Sequence, residues 1–409
     1  MGKDRGGPAR VLDARGALVL PGLVQAHVHL CQTLFRGMAD DLPLLEWLER
    51  RIWPMEAAHD ARSLRASARL GLAEMLLAGT STILDMGTVH EHDIVFEAMA
   101  ESGIRGLSGK AMMDRGQRLP RRLKESTRGS LEQSEALARR WHGAAEGRLG
   151  YAYAPRFILS CSERLVRGAV SRASEIGALV HTHAAEHAAE RRAVREALGA
   201  EDVDLLARWG AQGPRTILAH GVQLRVPEMR RLASAGTRIV HCPSANLKLA
   251  SGIAPIRRMR ALGLVVGLGA DGAPCNNRMD PWTEMRSASL LAKALETDAG
   301  ALPALEALEL ATIEGARVLG LDDRIGSLEV GKRADLIVVD AQGLHALPGL
   351  PGGRPEGGLV YSSTPSDVRH VVIDGRPIVQ HGELLTMDLE TVRAEARREA
   401  RKLLLRADL

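Results

Sequence analysis

The sequence predicts an α/β protein built on a (β/α)8 TIM barrel, with a small β-sandwich domain beside it. Three observations lead to this fold class. The chain has 409 residues, enough for one barrel and a smaller satellite. Short apolar runs rich in β-branched residues alternate with longer amphipathic stretches, the pattern of repeated βα units around a parallel sheet. Eight such runs fall within roughly 270 residues, which is the size of a barrel of this type.

The eight predicted strands are followed by segments whose apolar residues have helical spacing, such as 61–77 and 190–209. An open, doubly wound sheet would instead need a GxGxxG motif after an early strand. The only similar stretch, Gly267-Leu268-Gly269, lies in the last run and has no third glycine in register. The barrel is therefore favoured. The predicted strands are residues 18–29, 81–86, 104–112, 149–157, 178–183, 216–222, 238–243 and 264–271.

The pattern changes after a further predicted helix at 302–319. Segments 325–340 and 367–383 are typical of strands punctuated by turns, and the stretch 344–364 between them is rich in Pro, Gly and Ser, as loops are. The tail 389–405 is an amphipathic, Arg-rich helix. We therefore divide the chain into a β-sandwich remnant (1–17), the barrel (18–322), further β-sandwich strands (323–385) and a C-terminal helix (386–409).

The composition is that of an ordinary globular protein, with 45% hydrophobic and 25% charged residues. The net charge of +4 is spread along the chain, and the basic stretch from Arg118 to Lys124 contains no aromatic residue, so no nucleic-acid partner is expected. The four cysteines form no CxxC pair, which favours reduced thiols and a cytoplasmic location. No apolar stretch predicts a signal peptide or a membrane span.

Histidines and one aspartate occur where several predicted strands end. The first strand ends in His27-Val28-His29, and strand alternation puts both imidazoles on one face. A lone histidine on a strand is more often a core residue than a ligand. The coincidence of several at the carboxyl ends of barrel strands, where active sites of this fold lie, predicts a metal site. The other residues at such ends are His181, His183, His220, His241 and Asp271.

Three imidazoles and one carboxylate suit one divalent cation per chain, Zn²⁺ first, with Fe²⁺ or Mn²⁺ as alternatives. An open coordination position would hold a water whose pKa falls towards ~7. His181 shares a face with His183 but lies one layer deeper, and only His183 has a glutamate, Glu186, three residues on. The similar motif His90-Glu91-His92 follows the second strand, and we interpret it as a solvated turn.

Several long motifs resemble the amidohydrolase superfamily, and within it the branch of the s-triazine hydrolases and methylthioadenosine/S-adenosylhomocysteine deaminases. The motifs are PGLVQAHVHLCQTLFRG, HTHAAE, ILAHGV, HCPSANLKL and GADGAPCNNRMDPWTEMR. The resemblance covers the chain from residue 18 onward. GSLEVGKRADLIVVD is similar to a strand pair of that family's small β-sandwich.

The resemblance implies a role for each matching position. His27, His29, His183 and Asp271 bind the metal, and metal-bound hydroxide attacks the purine ring carbon. Asp271 also takes a proton from the attacking water. Glu186 protonates the ring nitrogen beside the attacked carbon and passes a proton to the leaving amine. His220 hydrogen-bonds the hydrolytic water or the oxygen that forms. Some chlorohydrolase relatives lack the aspartate, so the presence of both Asp271 and Glu186 favours a deaminase.

Trp47 and Glu56 match residues that contact the base and the ribose hydroxyls of adenosine-type substrates. Trp47 also fits a core position, and Glu56 also fits a cap of the following helix. Adenosine-type members usually carry a histidine after the fourth strand, where this chain has Arg156, as guanine deaminases do. We therefore expect Trp47, Glu56, Arg156 and Glu186 to bind the substrate. The substrate is adenosine, 5′-deoxyadenosine, S-adenosylhomocysteine or methylthioadenosine, with guanine or another oxopurine or pterin as the alternative.

Two further alternatives are an s-triazine chlorohydrolase and a metal-free scaffold without enzymatic activity. The scaffold predicts lost metal ligands, and none is lost here. The family carries two or three strands before the segment VLDARGALVLPG, which the printed sequence lacks. We therefore expect a β-sandwich truncated at its N-terminus, whose exposed edge favours a homo-oligomer.

Overall fold

A nearly closed barrel of eight parallel strands forms the centre of the molecule, as predicted. The computed structural model describes residues 11–14, 16–116, 118–348 and 354–409. Each strand pairs with its neighbour in chain order. The last strand meets the first through a bridge between Val28 and Asp271, whose amide donates to the His27 carbonyl oxygen at 3.1 Å. The barrel strands are Leu23–Val28, Thr80–Met86, Arg105–Gly109, Leu149–Pro155, Leu179–Ala184, Thr216–His220, Arg238–His241 and Val266–Leu268.

The predicted first strand at 18–29 is two strands in the structure. Ala17–Pro21 belongs to a separate antiparallel sheet, and Leu23–Val28 begins the barrel. Gly22 lies between these two strands, and a Cβ atom at this position would come within 2.2 Å of Ser81 Oγ. The apolar pattern runs through both strands, which is why the sequence alone did not separate them. The predicted boundary between residues 17 and 18 consequently falls inside a strand of the small sheet.

The small β-domain is an antiparallel sheet of five strands in the described residues. Segment 325–340 was predicted as a strand pair, and this is wrong, because only Leu336–Asp340 forms a strand and turns fill the residues before it. The predicted loop at 344–364 contains the helix Pro355–Tyr361, and its residues 349–353 lie outside the described part, as do 1–10 of the predicted remnant. The strands are Ala17–Pro21, Leu336–Asp340, Val368–Ile373, Arg376–Gln380 and Glu383–Leu384.

The predicted helix at 61–77 has the same bounds in the structure, where Asp60 caps its first turn through the Ser63 amide. The predicted helix at 190–209 is divided, because Gly199 adopts φ = 70° and ends its first half. The longer helices are Ala61–Leu77, Asp93–Ser102, Thr127–Trp141, Glu163–Ile176, Ala188–Leu198, Asp202–Arg208, Val226–Ala235, Pro281–Glu296, Ala304–Leu310, Ile313–Leu319, Pro355–Tyr361 and Leu389–Ala407. The shorter ones are Leu44–Trp47, Trp53–Ala57, Ala144–Gly147, Pro243–Lys248, Ile256–Ala261 and Ala273–Asn276.

The C-terminal helix Leu389–Ala407 packs against the barrel helix Ala61–Leu77. Its apolar side is buried at Val392 and Leu403, and Arg69 donates to Glu395 at 2.9 Å across the contact. This helix is therefore part of the folded body rather than a free tail. Among the described residues, no helix has the length and apolar character that crossing a membrane requires.

Candidate active site

The carboxyl ends of three barrel strands bring the predicted metal ligands to one point. His27 lies in the first strand, and His29 follows it directly. His183 lies in the fifth strand, and Asp271 follows the eighth. The potential ligand atoms of these four residues all lie within 4.8 Å of one another. We call these four residues the metal-ligand cluster.

Short distances between the side chains of this cluster define where a cation would sit. Asp271 Oδ1 lies 3.4 Å from His27 Nε2 and 3.2 Å from His29 Nε2. His29 Nε2 lies 3.3 Å from His183 Nε2. His27 Nε2 is buried and has no hydrogen-bond partner among the described residues. Unpaired nitrogens beside a carboxylate fit a divalent cation, which would contact all of them at once.

Contacts on the far side of each ring hold the three imidazoles in place. His29 Nδ1 donates to the Met86 carbonyl oxygen at 2.7 Å, and His183 Nδ1 donates to the Arg156 carbonyl oxygen at 2.8 Å. His27 Nδ1 lies 2.9 Å from Nε2 of His181, a buried residue of the fifth strand. With Nδ1 occupied in this way, each ring directs the free lone pair of Nε2 towards the cluster.

The protonation states of His27, His183 and Asp271 also suit a cation. Burial alone would lower the pKa of His29, but its contacts with Asp271 outweigh burial and raise that pKa above its ordinary value. Burial lowers the pKa of His27 to about 4 and the pKa of His183 well below its ordinary value, so both rings are neutral at pH 7. Burial alone would raise the pKa of Asp271, but its contacts with His27 and His29 outweigh burial and keep that pKa well below the ordinary value. Neutral imidazoles and an ionised carboxylate are the forms that bind metal.

Glu186 and His220 lie next to the cluster. His220 Nε2 is 3.5 Å from Glu186 Oε2 and 3.9 Å from Asp271 Oδ2, while His220 Nδ1 donates to Asn246 Oδ1 at 2.9 Å. Burial, reinforced by the negative charge of Asp271, raises the pKa of Glu186 well above its ordinary value. Burial and the nearby charge therefore favour the protonated form of Glu186, which lies beside a carboxylate whose own pKa is lowered.

Two residues of the site have backbone conformations that non-glycine residues rarely adopt. His220 has φ = 75° and Asp271 has φ = 62°, both in the left-handed region. Each lies where a strand ends and the chain turns. Such strain persists only where surrounding contacts enforce it, and it concentrates at functional sites.

A cavity opens from the cluster, and both apolar side chains and polar or ionisable side chains line it. Of the predicted substrate residues, Trp47, Arg156 and Glu186 line it, whereas Glu56 lies behind the wall and pairs with Arg156. Glu56 does not cap the next helix either, since Asp60 does. The lining residues are His29, Gln32, Leu44, Trp47, Leu48, Arg156, Phe157, His183, Glu186, Glu190, His220, Leu249 and Asp271.

Two further histidines, His92 and His241, are buried outside the cluster. The motif His90-Glu91-His92 was interpreted as a solvated turn, which is wrong for His92. This ring is buried, its Nε2 lies 2.9 Å from Ser108 Oγ, and burial lowers its pKa to about 3. His241 is buried as well and is not one of the clustered ligands.

The structure also places at the site Gln32 and Asn246, for which no role was predicted. Both lie inside quoted motifs, Gln32 three residues after His29 and Asn246 in HCPSANLKL. Their position in those motifs was the available signal. An amide carries neither charge nor a preferred metal, so residue type alone did not single them out.

The chain matches the sequence profile of the amidohydrolase family over residues 18–378. A 5-methylthioadenosine/S-adenosylhomocysteine deaminase of Moorella thermoacetica is 37% identical to it, over 96% of this chain and 89% of the relative. A 5′-deoxyadenosine deaminase of Methanothermobacter thermautotrophicus is 38% identical, over 92% and 86% respectively.

Among solved structures, the chain is similar to an adenosine deaminase from Xanthomonas campestris with bound zinc. The two share 34% sequence identity and superpose with a TM-score of 0.89, covering 95% of this chain and 87% of the other. The likeness therefore extends over the barrel and the small sheet together.

Proposed function

The chain belongs to the amidohydrolase family, and from this premise we propose that it is a metal-dependent hydrolytic deaminase of adenosine-type nucleosides. The substrate class comprises adenosine, 5′-deoxyadenosine, S-adenosylhomocysteine and methylthioadenosine, and the products are ammonia and the 6-oxo nucleoside. One observation carries the proposal above all. Glu186 and His220 lie within 4 Å of each other, beside Asp271 of the metal-ligand cluster, and all three line the same cavity. The names of the two related deaminases support the choice of substrate.

The proposed cofactor is one divalent cation, with Zn²⁺ preferred and Fe²⁺ or Mn²⁺ as alternatives. His27, His29, His183 and Asp271 would hold it. When bound, such a cation supplies Lewis-acid polarisation and makes a coordinated water acidic near neutral pH. The zinc in the similar adenosine deaminase structure supports the preference for this metal.

The remaining chemistry is assigned to side chains of the chain itself. Asp271, ionised at neutral pH, accepts a proton from the attacking water. Glu186, a protonated acid, donates to the ring nitrogen beside the attacked carbon and later passes a proton to the leaving amine. Because His220 Nδ1 donates to Asn246, its Nε2 carries a lone pair that can accept a hydrogen bond from the water. Base and acid thus both lie within 4 Å of His220 Nε2.

The cavity wall fits a flat heterocycle. Trp47 and Phe157 offer aromatic surface, and three leucines add further apolar surface to the lining. The indole Nε1 of Trp47 is buried and has no hydrogen-bond partner among the described residues, so it is available to an acceptor on the substrate. We propose Trp47, Arg156 and Glu186 as substrate contacts.

One alternative substrate class is guanine or another oxopurine or pterin. It is favoured by Arg156, whose guanidinium borders the cavity and can donate to a keto oxygen. A chlorohydrolase is disfavoured because halide departure needs no protonation, whereas this chain keeps both Asp271 and Glu186. A metal-free scaffold is disfavoured because all four ligands converge.

Metal analysis and a substrate panel test the proposal. We expect about one metal ion per chain after supplementation and ammonia release from adenosine-type compounds. The panel also contains guanine, cytosine and chlorotriazines. A protein that binds almost no metal would contradict the enzyme assignment, and turnover of guanine alone would replace adenosine by the oxopurine class.

Glu186→Gln tests the proton shuttle. The amide has the shape of the carboxylic acid but cannot pass a proton to the leaving amine, so we expect kcat to fall by about 10³-fold. Metal content should stay at the wild-type level, because Glu186 is not a ligand. A variant with near-normal kcat would remove Glu186 from the mechanism.

Cytoplasmic location and self-association stay predictions, as does the lack of nucleic-acid and membrane partners. The four cysteines are free and buried, which fits the reduced thiols expected in the cytoplasm.

A further inference from the structure

Three buried polar side chains form one wall of the cavity. Gln32 Nε2 donates to Glu56 Oε1 at 2.8 Å, while the Arg156 guanidinium donates to Glu56 Oε1 at 3.0 Å and to Oε2 at 2.5 Å. Each of the three side chains belongs to a residue that is at most 4% exposed. Gln32 and Arg156 line the cavity, and Glu56 does not. Both Glu56 oxygens are therefore committed to protein donors before any substrate arrives.

The opposite end of the Gln32 amide is free. Gln32 Oε1 is buried and accepts no hydrogen bond from the described residues. The orientation of this amide is defined, because the Glu56 carboxylate can only accept and the nitrogen must therefore face it. The oxygen lies beside the loop that follows Asp271, since a Cβ atom on Gly272 would come within 2.2 Å of it. A buried acceptor without a partner thus sits next to the reacting centre.

Resting on the proposed function, we propose that Gln32 determines specificity through Oε1, which accepts a hydrogen bond from an N–H group of the purine. Glu56 then serves as a positioning residue that holds Gln32 and Arg156, and it does not bind ribose hydroxyls. Recognition is consequently directed at the base and is indifferent to the sugar hydroxyls. This assigns Glu56 a role different from that implied by its match to the ribose-binding glutamate of the family.

The sugar comparison tests the role of Glu56 without any mutation. We expect adenosine and 2′,3′-dideoxyadenosine to have kcat/KM values within about threefold of each other in the wild-type enzyme. If the Glu56 carboxylate bound the ribose hydroxyls, it would lose its partners with 2′,3′-dideoxyadenosine, and kcat/KM would then fall by about 10²-fold or more. A loss of that size would overturn the proposal.

Glu56→Gln extends the comparison. If Glu56 only positions Gln32 and Arg156, its substitution should lower kcat/KM by the same factor, about 10-fold to 10²-fold, for adenosine and for 2′,3′-dideoxyadenosine. A loss confined to adenosine would show direct ribose binding and overturn the inference. Where this variant does not fold, because Arg156 loses its partner, the wild-type sugar comparison still decides the question.

Gln32→Met tests the acceptor, because methionine has a similar volume and no carbonyl. We expect kcat/KM to fall by about 10-fold to 10²-fold on whichever purine the wild-type enzyme deaminates, with unchanged metal content and melting temperature. Wild-type kcat/KM in this variant would refute the role of Gln32. If the wild-type enzyme deaminates only guanine, the proposed function fails, while the Gln32→Met assay on guanine still tests this inference.

Discussion

Two clusters of ionisable groups in this molecule are both largely buried, but their charges are balanced in different ways. The first is the metal-ligand cluster. The second, which we call the arginine cluster, consists of Arg191, Glu201, Asp202 and Glu228. Arg191 donates through Nη2 to Glu228 at 2.5 Å and through Nε to Glu201 at 2.9 Å, and Nε lies 3.3 Å from Asp202 Oδ1.

The difference lies in where the positive charge comes from. The arginine cluster contains its own cation, so its carboxylates are paired as soon as the chain folds. The metal-ligand cluster instead combines imidazoles with one carboxylate, and burial keeps the rings of His27 and His183 neutral at pH 7. Burial and short distances are common to both. A guanidinium within hydrogen-bond reach of the carboxylates is what distinguishes the structural ion network from a site built for an external cation.

Asp271→Asn should have the largest effect of these substitutions. We expect this effect in metal binding and catalysis rather than in folding. It removes a ligand charge and the proposed base together, so we expect metal content well below one ion per chain and kcat at least about 10³-fold lower. Metal analysis and ammonia release measure the two effects. Glu186→Gln is the matched comparison, because it should lose kcat and keep its metal. An Asp271→Asn enzyme with full metal content would remove the proposed distinction between the clusters.

Arg191→Met should have the next largest effect, on stability. Removing the cation leaves buried carboxylates unpaired, which costs about 3–5 kcal/mol in the free energy of unfolding. Chemical denaturation measures the loss, and metal content of the folded variant should be unchanged. Arg195→Met is the control on the same helix. Arg195 also pairs with Glu201, but its side chain is 47% exposed, so we expect a change of at most about 1 kcal/mol.

The sequence was sufficient for those parts of the molecule that local rules determine. Strand alternation placed His27 and His29 on one face, and the strand-end rule for barrels collected His183, His220 and Asp271 with them. The ends of strands were less predictable. The eighth strand was predicted at 264–271 and is only Val266–Leu268, because the chain turns before Asp271, which has φ = 62°.

Contacts between distant loops could not be predicted in this way. Glu56 and Arg156 are 100 residues apart in the sequence, and their pairing depends on how the loop after the first strand lies against the fourth. The orientation of the Gln32 amide likewise follows only from its contact with Glu56. His92 was misjudged for a similar reason, since its burial depends on Ser108 of the neighbouring strand. The residue types in the sequence were enough to predict the metal centre. The cavity wall formed by Gln32, Glu56 and Arg156 could be described only from three-dimensional contacts.

The smallest expected effect concerns the acid sensitivity of the arginine cluster. Burial alone would raise the pKa of Glu228, but hydrogen bonds from Arg191 and Arg225 outweigh burial and lower that pKa to about 2, against an ordinary value of 4.5. A carboxyl whose pKa is lower in the folded state stabilises the protein fully above pH 4.5. That contribution is lost as the pH falls from there towards 2, and it amounts to about 2 kcal/mol.

Glu228→Gln isolates this contribution. We expect the variant to be less stable than the wild type at pH 7 and the difference to shrink as the pH falls below 4.5, because the wild-type carboxylate then becomes protonated. Denaturation curves at several pH values measure it, with the metal-ligand cluster kept out of the comparison by working in chelator throughout. A stability difference that does not change with pH would mean that the charge of Glu228 contributes nothing, and that the arginine cluster acts through hydrogen bonds and packing alone.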